Sequence, residues 1–457
     1  MNAKKKTLMA AVVAVGMIVL GGQGVAYATS GNSGTGTNNT SSSSGGTHTA
    51  NQSGGGMATN NDTGFRNTQT ATAHTGGMAT NNDSGSYNKD TATANTLGSA
   101  TNHITGTHDT NTVTASNGGL ASSTDTGEGN TNTVTANHGG IAENFGTIGS
   151  DNNTTTSADN SSTAVQEVIG SDNKVTTTAN GNSTSGPLGP YGAASSVDGS
   201  DNTVTTNANT TSGSVAIVGG DNNTLKVNAT NTGTAVGIAE GFGNQVSATG
   251  TNGMAGAEAF GNSNKTTASA TNTNVTSGTS GFATSTATGN GNQVSAMASG
   301  ANTAGTVGSG AESTAGNVGT ANNNKVTTSA SGGGQATATV SEGNANSANA
   351  TASNSGVATA LVDSGNNGSA TSIASGSGSV ASSEAAAGGQ TFTEATGGGT
   401  ATATATLPNS TAVAYALGSG ATASASQTAT DPTAGTTMCS TSGFSYAATS
   451  GGSHCIG

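Results

Sequence analysis

Small apolar residues alternate with polar residues in short runs that recur along the chain. In the run that begins at Thr203, the residues Val204, Thr206 and Ala208 occupy every second position, and the residues between them are Thr or Asn. Alternation at period two with β-branched residues is typical of a strand with one buried face. The residues on the buried side are small, so we expect a thin core.

These runs return at a fixed period. The sequence Asn-Thr-Val-Thr-Ala of Asn111–Ala115 returns 21 residues later at Asn132–Ala136, and Gly55–Asp62 returns at the same offset as Gly76–Asp83. A fixed period of this length indicates a repeat architecture. A few repeats are longer, and the segment Gly186–Pro190 in one of them indicates a loop insertion.

Each repeat contains two candidate strands. A second motif, Gly-x-x-Asn-x-Val, occurs at Gly170–Val175 and Gly199–Val204, and Gly, Asn and Asp turns separate it from its neighbours. One repeat cannot bury a core alone, but repeats stacked about 4.8 Å apart would pair every strand with its copies. We therefore predict an all-β fold, a right- or left-handed parallel β-solenoid of about 21-residue coils, with Asn ladders at equivalent positions.

Long polar residues follow the repeat Asn directly. Lys174, Lys265 and Lys325 occupy this position in three repeats, and Gln245 and Gln293 occupy it in two others. A position that accepts these side chains is expected to face solvent, where Lys also discourages unwanted edge pairing.

Residues 1–28 have the pattern of a secretory signal peptide. Lys4–Lys6 form a positive segment, Leu8–Leu20 form an apolar segment, and the small-x-small motif before the bond from Ala28 to Thr29 predicts the cleavage site. The apolar segment is too short to span a bilayer. We expect a secreted or cell-surface protein with no transmembrane anchor in the mature chain.

The remainder of the chain divides into three predicted segments. Residues 29–56 form a disordered leader rich in Gly, Ser, Thr and Asn, residues 57–430 form the solenoid, and residues 431–457 form a C-terminal cap. The cap contains Cys439 and Cys455, the two cysteines of the chain, which we predict to form a disulfide in an exported protein. Intermolecular crosslinking and a metal site are the alternatives.

Composition restricts the function. The net charge is −13, charged residues make up 7% of the chain and aromatic residues 3%. Without a basic patch, nucleic-acid binding is not expected. No arrangement of residues predicts catalysis, a cofactor or a metal. The Gly-Ser-Asp-Asn turns at 170–173 and 199–202 contain possible calcium ligands, but Asp and Asn also suit left-handed turns.

A strictly alternating threonine array lies at Thr400–Thr406. It could present regular hydroxyl groups to ice or sugar, or it could be a plain solvated strand face.

Two segments resemble known families. The runs at Gly241–Val246 and Gly289–Val294 resemble the curlin repeat of bacterial functional amyloids, although the Gln that curlin repeats place before the glycines is replaced, for example by Ala239. This resemblance implies stacked two-strand coils and self-association into extracellular fibres. Asn409–Ala416 is similar to a head repeat of trimeric autotransporter adhesins, and that family's C-terminal anchor is not recognisable here.

These observations favour a secreted structural or adhesive protein of the bacterial cell surface or extracellular matrix, without catalysis. The first alternative is a module that binds glycan or another surface through a regular Thr/Asn face. The second is a largely disordered secreted chain, since the sequence is polar and of low complexity.

Overall fold

The computed structural model describes the repeat region and part of each end of the chain. The described residues are 32–34, 39–43, 47–53, 55–62, 68–84, 89–105, 110–126, 131–138, 140–149, 152–159, 163–180, 191–209, 213–231, 233–272, 282–300, 312–318, 322–332, 334–340, 344–363, 367–386, 389–406, 411–428, 436–449 and 453–456. Only the backbone is described for residues 32–34, 39–43, 47, 191, 272, 300, 312–318, 427–428, 436–449 and 453–456. The predicted signal peptide lies outside the described residues.

The chain divides into two units, Met1–Ala229 and Thr230–Gly457. Within the described residues both units consist of strands and turns, and neither has a helix. The prediction of an all-β fold is therefore confirmed, and the alternative of a largely disordered chain is wrong for this part of the molecule.

Unit 1 contains nineteen strands. They are β1 (Asn32–Gly34), β2 (Asn39–Ser43), β3 (Thr47–Gln52), β4 (Met57–Asp62), β5 (Thr68–His74), β6 (Met78–Asp83), β7 (Lys89–Asn95), β8 (Ser99–Ile104), β9 (Thr110–Ser116), β10 (Leu120–Thr126), β11 (Thr131–Asn137), β12 (Ile141–Ile148), β13 (Asn153–Asp159), β14 (Thr163–Ile169), β15 (Lys174–Asn180), β16 (Tyr191–Asp198), β17 (Thr203–Asn209), β18 (Gly213–Gly219) and β19 (Thr224–Ala229).

In unit 1 each strand from β1 to β17 pairs in parallel with the strand two places further along the chain. The odd-numbered strands thus form one sheet and the even-numbered strands form another. The two sheets face each other, since the Thr177 hydroxyl on β15 donates to Gln166 Oε1 on β14 at 3.0 Å. This is the predicted β-solenoid with two strands in each coil.

Unit 2 has the same construction. Its strands are β20 (Thr234–Glu240), β21 (Gln245–Thr251), β22 (Met254–Phe260), β23 (Lys265–Asn272), β24 (Phe282–Thr288), β25 (Gln293–Gly300), β26 (Glu312–Val318), β27 (Lys325–Ala330), β28 (Gln335–Val340), β29 (Ser347–Ala352), β30 (Val357–Val362), β31 (Ser369–Ala374), β32 (Val380–Ala386), β33 (Gln390–Thr396), β34 (Thr400–Thr406), β35 (Thr411–Thr428), β36 (Thr436–Thr449) and β37 (Ser453–Ile456). Each strand from β20 to β33 again pairs in parallel with the strand two places on.

The core between the sheets consists mainly of Ala and Val. Val204, Thr206 and Ala208 are fully buried, as their alternation predicts. The position after the repeat Asn is exposed at Lys174 and Gln293, so the predicted outward position is also confirmed. Because these side chains are small, the burial of each one contributes little to the free energy of folding. The stability of the stack therefore depends on the number of coils.

Insertions do not disturb the register. Lys174 pairs with Asn153, which precedes it by 21 residues, and with Thr203, which follows it by 29 residues. The odd-numbered sheet is thus continuous across this longer repeat, whereas the predicted insertion, Gly186–Pro190, lies outside the described residues.

Buried asparagines form ladders at one corner of the coils. In unit 1 the amide of Asn152 donates to Asn173 Oδ1 at 2.8 Å, and the amide of Asn202 donates to Asn223 Oδ1 at 2.7 Å. Unit 2 has an equivalent ladder, in which the amide of Asn264 donates to Asn292 Oδ1 at 2.8 Å. These bonds satisfy amides that lie outside the strand pairing, and they confirm the predicted Asn ladders.

The parallel order ends at the C-terminus of unit 2. β35 pairs with β33 through its first half and with β34 through its second half, and β36 then runs antiparallel along β35. The backbone register places Cys439 beside Ala423 and Cys455 beside Ala447. The cysteine side chains lie outside what the structure describes, so the disulfide stays a prediction.

Strands also occur before residue 57. β1, β2 and β3 lie in the segment 29–56, and β3 is in register with β5, from Thr47 opposite Thr68 to Gln52 opposite Ala73. The structure thus describes three short strands within the segment predicted as a leader. Their sequence lacks the Val of later repeats, but Ala50 retains the buried position.

Candidate functional site

Two columns of hydroxyl-bearing side chains run along the outer surface of the odd-numbered sheet of unit 1. We call these two columns the threonine face. The first column contains Thr70, Thr91, Thr112, Thr133, Thr155, Thr176 and Thr205. The second column contains Thr72, Thr93, Thr114, Thr135, Ser157 and Thr178, and Asn207 occupies it on β17. The threonine face ends there, because the next strand, β19, places Lys226 and Asn228 in the two columns.

Strand alternation produces the threonine face. On β9 the side chains of Thr112 and Thr114 point outward and are half-buried, whereas Val113 and Ala115 between them are fully buried in the core. The in-register pairing then places every outward Thr beside the Thr of the next coil. A 21-residue sequence repeat is thereby converted into a two-dimensional array.

The array has regular spacing. Neighbouring strands lie about 4.8 Å apart, and the two columns on one strand lie roughly 6.6 Å apart because they are separated by two residues. A β-branched side chain has restricted χ1 rotamers, so each methyl and hydroxyl has a restricted direction. The surface is therefore periodic in both directions and rigid.

Charge is confined to the margins of this surface. One flanking column contains Thr68, Lys89, Thr110, Thr131, Asn153, Lys174 and Thr203, and the other contains His74, Asn95, Ser116, Asn137, Asp159, Asn180 and Asn209. The two central columns contain neither charged nor aromatic residues. The threonine face is thus electrically neutral along its whole length.

The opposite surface of the same coils is not regular. Its central positions begin with Thr59, Thr80 and Thr101 but continue with Ser122 and Glu143. Strand propensity alone favours Thr equally on both surfaces. The uniformity of the threonine face is therefore a property of that face and not of the repeat in general.

Glu143 lies on this opposite surface, and its environment shifts the pKa of its carboxyl. It is half-buried between Ser122 and Val165 in the register of β10, β12 and β14. Desolvation by burial raises the pKa of its carboxyl above the ordinary value of 4.5.

The first coils of unit 1 have a polar interior. Asn60 Nδ2 donates to Asn81 Oδ1 at 3.0 Å and to the carbonyl of Thr70 on the facing sheet at 2.8 Å. His48 lies 3.7 Å from a carboxylate oxygen of Asp62, and both side chains are buried. Among the described residues no group of three or more His, Cys, Asp or Glu is arranged to hold a metal ion.

The acidic turns have the expected left-handed geometry. The residue before the ladder Asn has a positive φ at Asp172, Asp201 and Asn222, with values of 60°, 59° and 57°. This finding supports the interpretation that Asp and Asn suit the turn, rather than that they serve as calcium ligands.

The array predicted at Thr400–Thr406 alternates as expected, with Ala401, Ala403 and Ala405 fully buried. It does not extend across neighbouring coils, because Thr404 lies beside Glu384. The sequence predicts a regular Thr/Asn face, but threonines along one strand do not identify the columns that cross the strands. The signal was present in the Thr-x-Thr pairs that recur every 21 residues from Thr70 to Thr135.

No protein-family model, curated protein or solved structure matches this chain. Among the described residues, no helix is long and apolar enough to cross a membrane.

Proposed function

We propose that this protein is a secreted structural protein of the bacterial cell surface or extracellular matrix, and that the threonine face is its adhesive surface. It acts without catalysis, by holding a regular outer surface against an extended target.

The stacked construction supports the structural part of this proposal. Parallel pairing continues from coil to coil, and buried Asn ladders such as Asn173 to Asn202 add bonds at the corners. Repeats that contact only their neighbours give an elongated scaffold whose length follows the number of coils.

The neutral, uniform threonine face is the observation that carries the adhesive part. Seven successive odd strands present Thr at the first column although the opposite surface varies. An extended target would contact all seven positions together, so weak single contacts would add up to stable attachment.

Export is supported by the sequence alone. Lys4–Lys6, the apolar segment Leu8–Leu20 and the small residues before Thr29 have the order of a signal peptide. N-terminal sequencing of the protein recovered from culture medium tests this part, and a mature chain that begins at Thr29 is expected. Retention of residues 1–28 in the exported protein would contradict it.

Adhesion is tested with a charge pair placed on the threonine face. Thr112→Lys together with Thr133→Glu puts opposite charges side by side in the register of β9 and β11, which disrupts the neutral surface without like-charge repulsion. The matched control, Thr80→Lys with Thr101→Glu, makes the same pair on the opposite surface, in the register of β6 and β8.

The measurement is depletion of purified protein from solution by bacterial cells, crystalline cellulose, chitin and silica, after circular dichroism has shown equal β content. We expect the native chain and the control to bind at least one of these surfaces and the face variant to lose that binding. Equal binding by all three proteins would overturn the proposal.

A further inference from the structure

The threonine face matches the surface of one solid more closely than it matches a soluble ligand. We propose that it binds ice. This inference names the target of the adhesive surface and so rests on the proposed function.

The chemistry of the face is suited to water as the ligand. Each Thr presents a hydroxyl group, which donates and accepts hydrogen bonds, next to a methyl group, around which water is restricted in orientation. Alternating hydroxyl and methyl groups on a rigid sheet favour an ordered first layer of water. Charged side chains would impose their own hydration, and the central columns contain none.

The spacing of the face is suited to a crystal. The hydroxyl groups repeat about every 4.8 Å along the stack and roughly every 6.6 Å across it. The oxygen atoms on the prism plane of ice repeat at similar intervals in two perpendicular directions. Water ordered above the columns can therefore join the crystal lattice over many repeats.

The extent of the face gives the contact its strength. From β5 to β17 the four outward columns cover a surface roughly 29 Å long and 20 Å wide. Each Thr contributes a small amount, and the protein remains attached because all contacts must break together before it leaves.

The same observations argue against polysaccharide as the target. Sugar-binding surfaces use aromatic rings, whose apolar faces stack on the sugar ring while polar groups bind its hydroxyls. The central and flanking columns of the threonine face contain no Trp, Tyr or Phe. The central columns contain no acid, and Asn207 on β17 is their one amide; the other Asn and Asp side chains lie at the margins.

The experiment measures incorporation into ice. Native protein, the face variant Thr112→Lys/Thr133→Glu and the control Thr80→Lys/Thr101→Glu are each frozen slowly onto a cold probe, and the fraction in the ice is compared with the fraction in the remaining liquid. Ice recrystallisation and the gap between melting and freezing temperatures are recorded on the same samples. A second variant, Thr112→Val/Thr133→Val, keeps the methyl groups and removes two hydroxyls without loss of strand propensity.

We expect the native protein and the control to enter the ice and to inhibit recrystallisation. We expect the charged face variant to be excluded from ice, with loss of inhibition, and the Val variant to lose part of the activity. Exclusion of the native protein from ice, or equal loss in variant and control, would overturn this inference. If the native protein is excluded from ice but binds cellulose, chitin, silica or cells through the threonine face, the adhesive function stands and ice is not its target. If the native protein binds neither ice nor any of these surfaces, both proposals fail.

Discussion

The backbone amide of Asn173 donates a hydrogen bond of 2.8 Å to the side-chain oxygen of Asn202, which belongs to the next coil of unit 1. Asn202 Nδ2 in turn donates to the carbonyl of Gly170 at 3.0 Å. The Asn202 side chain thus bonds to a backbone donor of Asn173 and a backbone acceptor of Gly170 that strand pairing does not satisfy. Both asparagines are buried.

Replacement of Asn202 by Ala should leave these two backbone groups without partners. Each buried unsatisfied group costs about 1–3 kcal/mol, so we expect the free energy of unfolding to fall by about 2–4 kcal/mol. Urea unfolding followed by far-UV circular dichroism measures the change. The control Asn209→Ala removes an exposed ladder residue and should change the free energy by less than about 0.5 kcal/mol. Equal effects of the two substitutions would contradict this account.

Gly199 is fixed by a close approach between coils. Its φ is 145°, and a Cβ atom there would lie 1.8 Å from the carbonyl oxygen of Gly170. Gly199→Ala should therefore force the coils apart and lower the thermal midpoint strongly. Gly76 also has a positive φ, 71°, but a Cβ atom there would meet no atom within 4 Å. Gly76→Ala should lower the free energy of unfolding only by about 1–2 kcal/mol, the amount that a left-handed backbone conformation costs a residue with a Cβ atom. A thermal midpoint that falls equally for both variants would show that backbone conformation, not the close approach, is decisive.

Glu143 should make unit 1 less stable as pH rises. Burial raises its pKa in the folded state above 4.5, so the folded chain binds more protons than the unfolded chain in the window that starts near this value. Stability is then lost as pH increases through the folded pKa. We expect Glu143→Gln to raise the unfolding midpoint in neutral buffer and to have little effect below about pH 4, where the carboxyl is protonated in both states. Urea midpoints across this range give the comparison, and a benefit confined to the acid end would contradict it.

The antiparallel strands at the C-terminus should limit association between molecules. A chain that ends at Thr428 lacks β36 and β37 and exposes the edge of β35, which can pair with another chain. We expect this truncated chain to form larger species in sedimentation velocity and to bind thioflavin more than the native chain does. A chain that ends at Thr449 keeps β36 and serves as the control. If both truncated chains associate alike, the cover provided by β36 is not the limiting factor.

The coil architecture could be predicted because the local pattern and the period agree. The alternation predicts that Val204 and Ala208 are buried, and the position after the repeat Asn predicts that Lys174 is exposed. The period predicts that equivalent asparagines lie beside one another. In a parallel stack these assignments reinforce each other, since one error in register would misplace every side chain of a strand.

The polar interior of the first coils could not be predicted in this way. Asn60, Asn81 and Asp83 occupy core positions, although a binary pattern assigns such residues to the surface. In a thin core their polar atoms reach the facing backbone or the equivalent Asn of the next coil, as Asn81 reaches the carbonyl of Thr91 at 2.8 Å. Whether these polar atoms find hydrogen-bond partners depends on the distance between the two sheets, and the sequence of a single strand does not determine that distance.

A regular Thr/Asn face is expected from the sequence, but the residues that form the columns of the threonine face could not be identified, for a different reason. Its columns cross strands that are 21 residues apart in most repeats, but Thr176 and Thr205 are 29 apart because of the insertion. Continuity becomes visible only when the register is known.

The register has a genetic consequence. Every complete coil presents the same strand edges to its neighbours. Unequal recombination that duplicates or removes the coding sequence of one coil therefore yields a chain whose remaining coils still pair with one another. The threonine face would then lengthen or shorten in single-strand steps while its spacing stayed constant. A gene of this kind can adjust the strength of attachment by copy number alone, without a new substitution at any position of the surface.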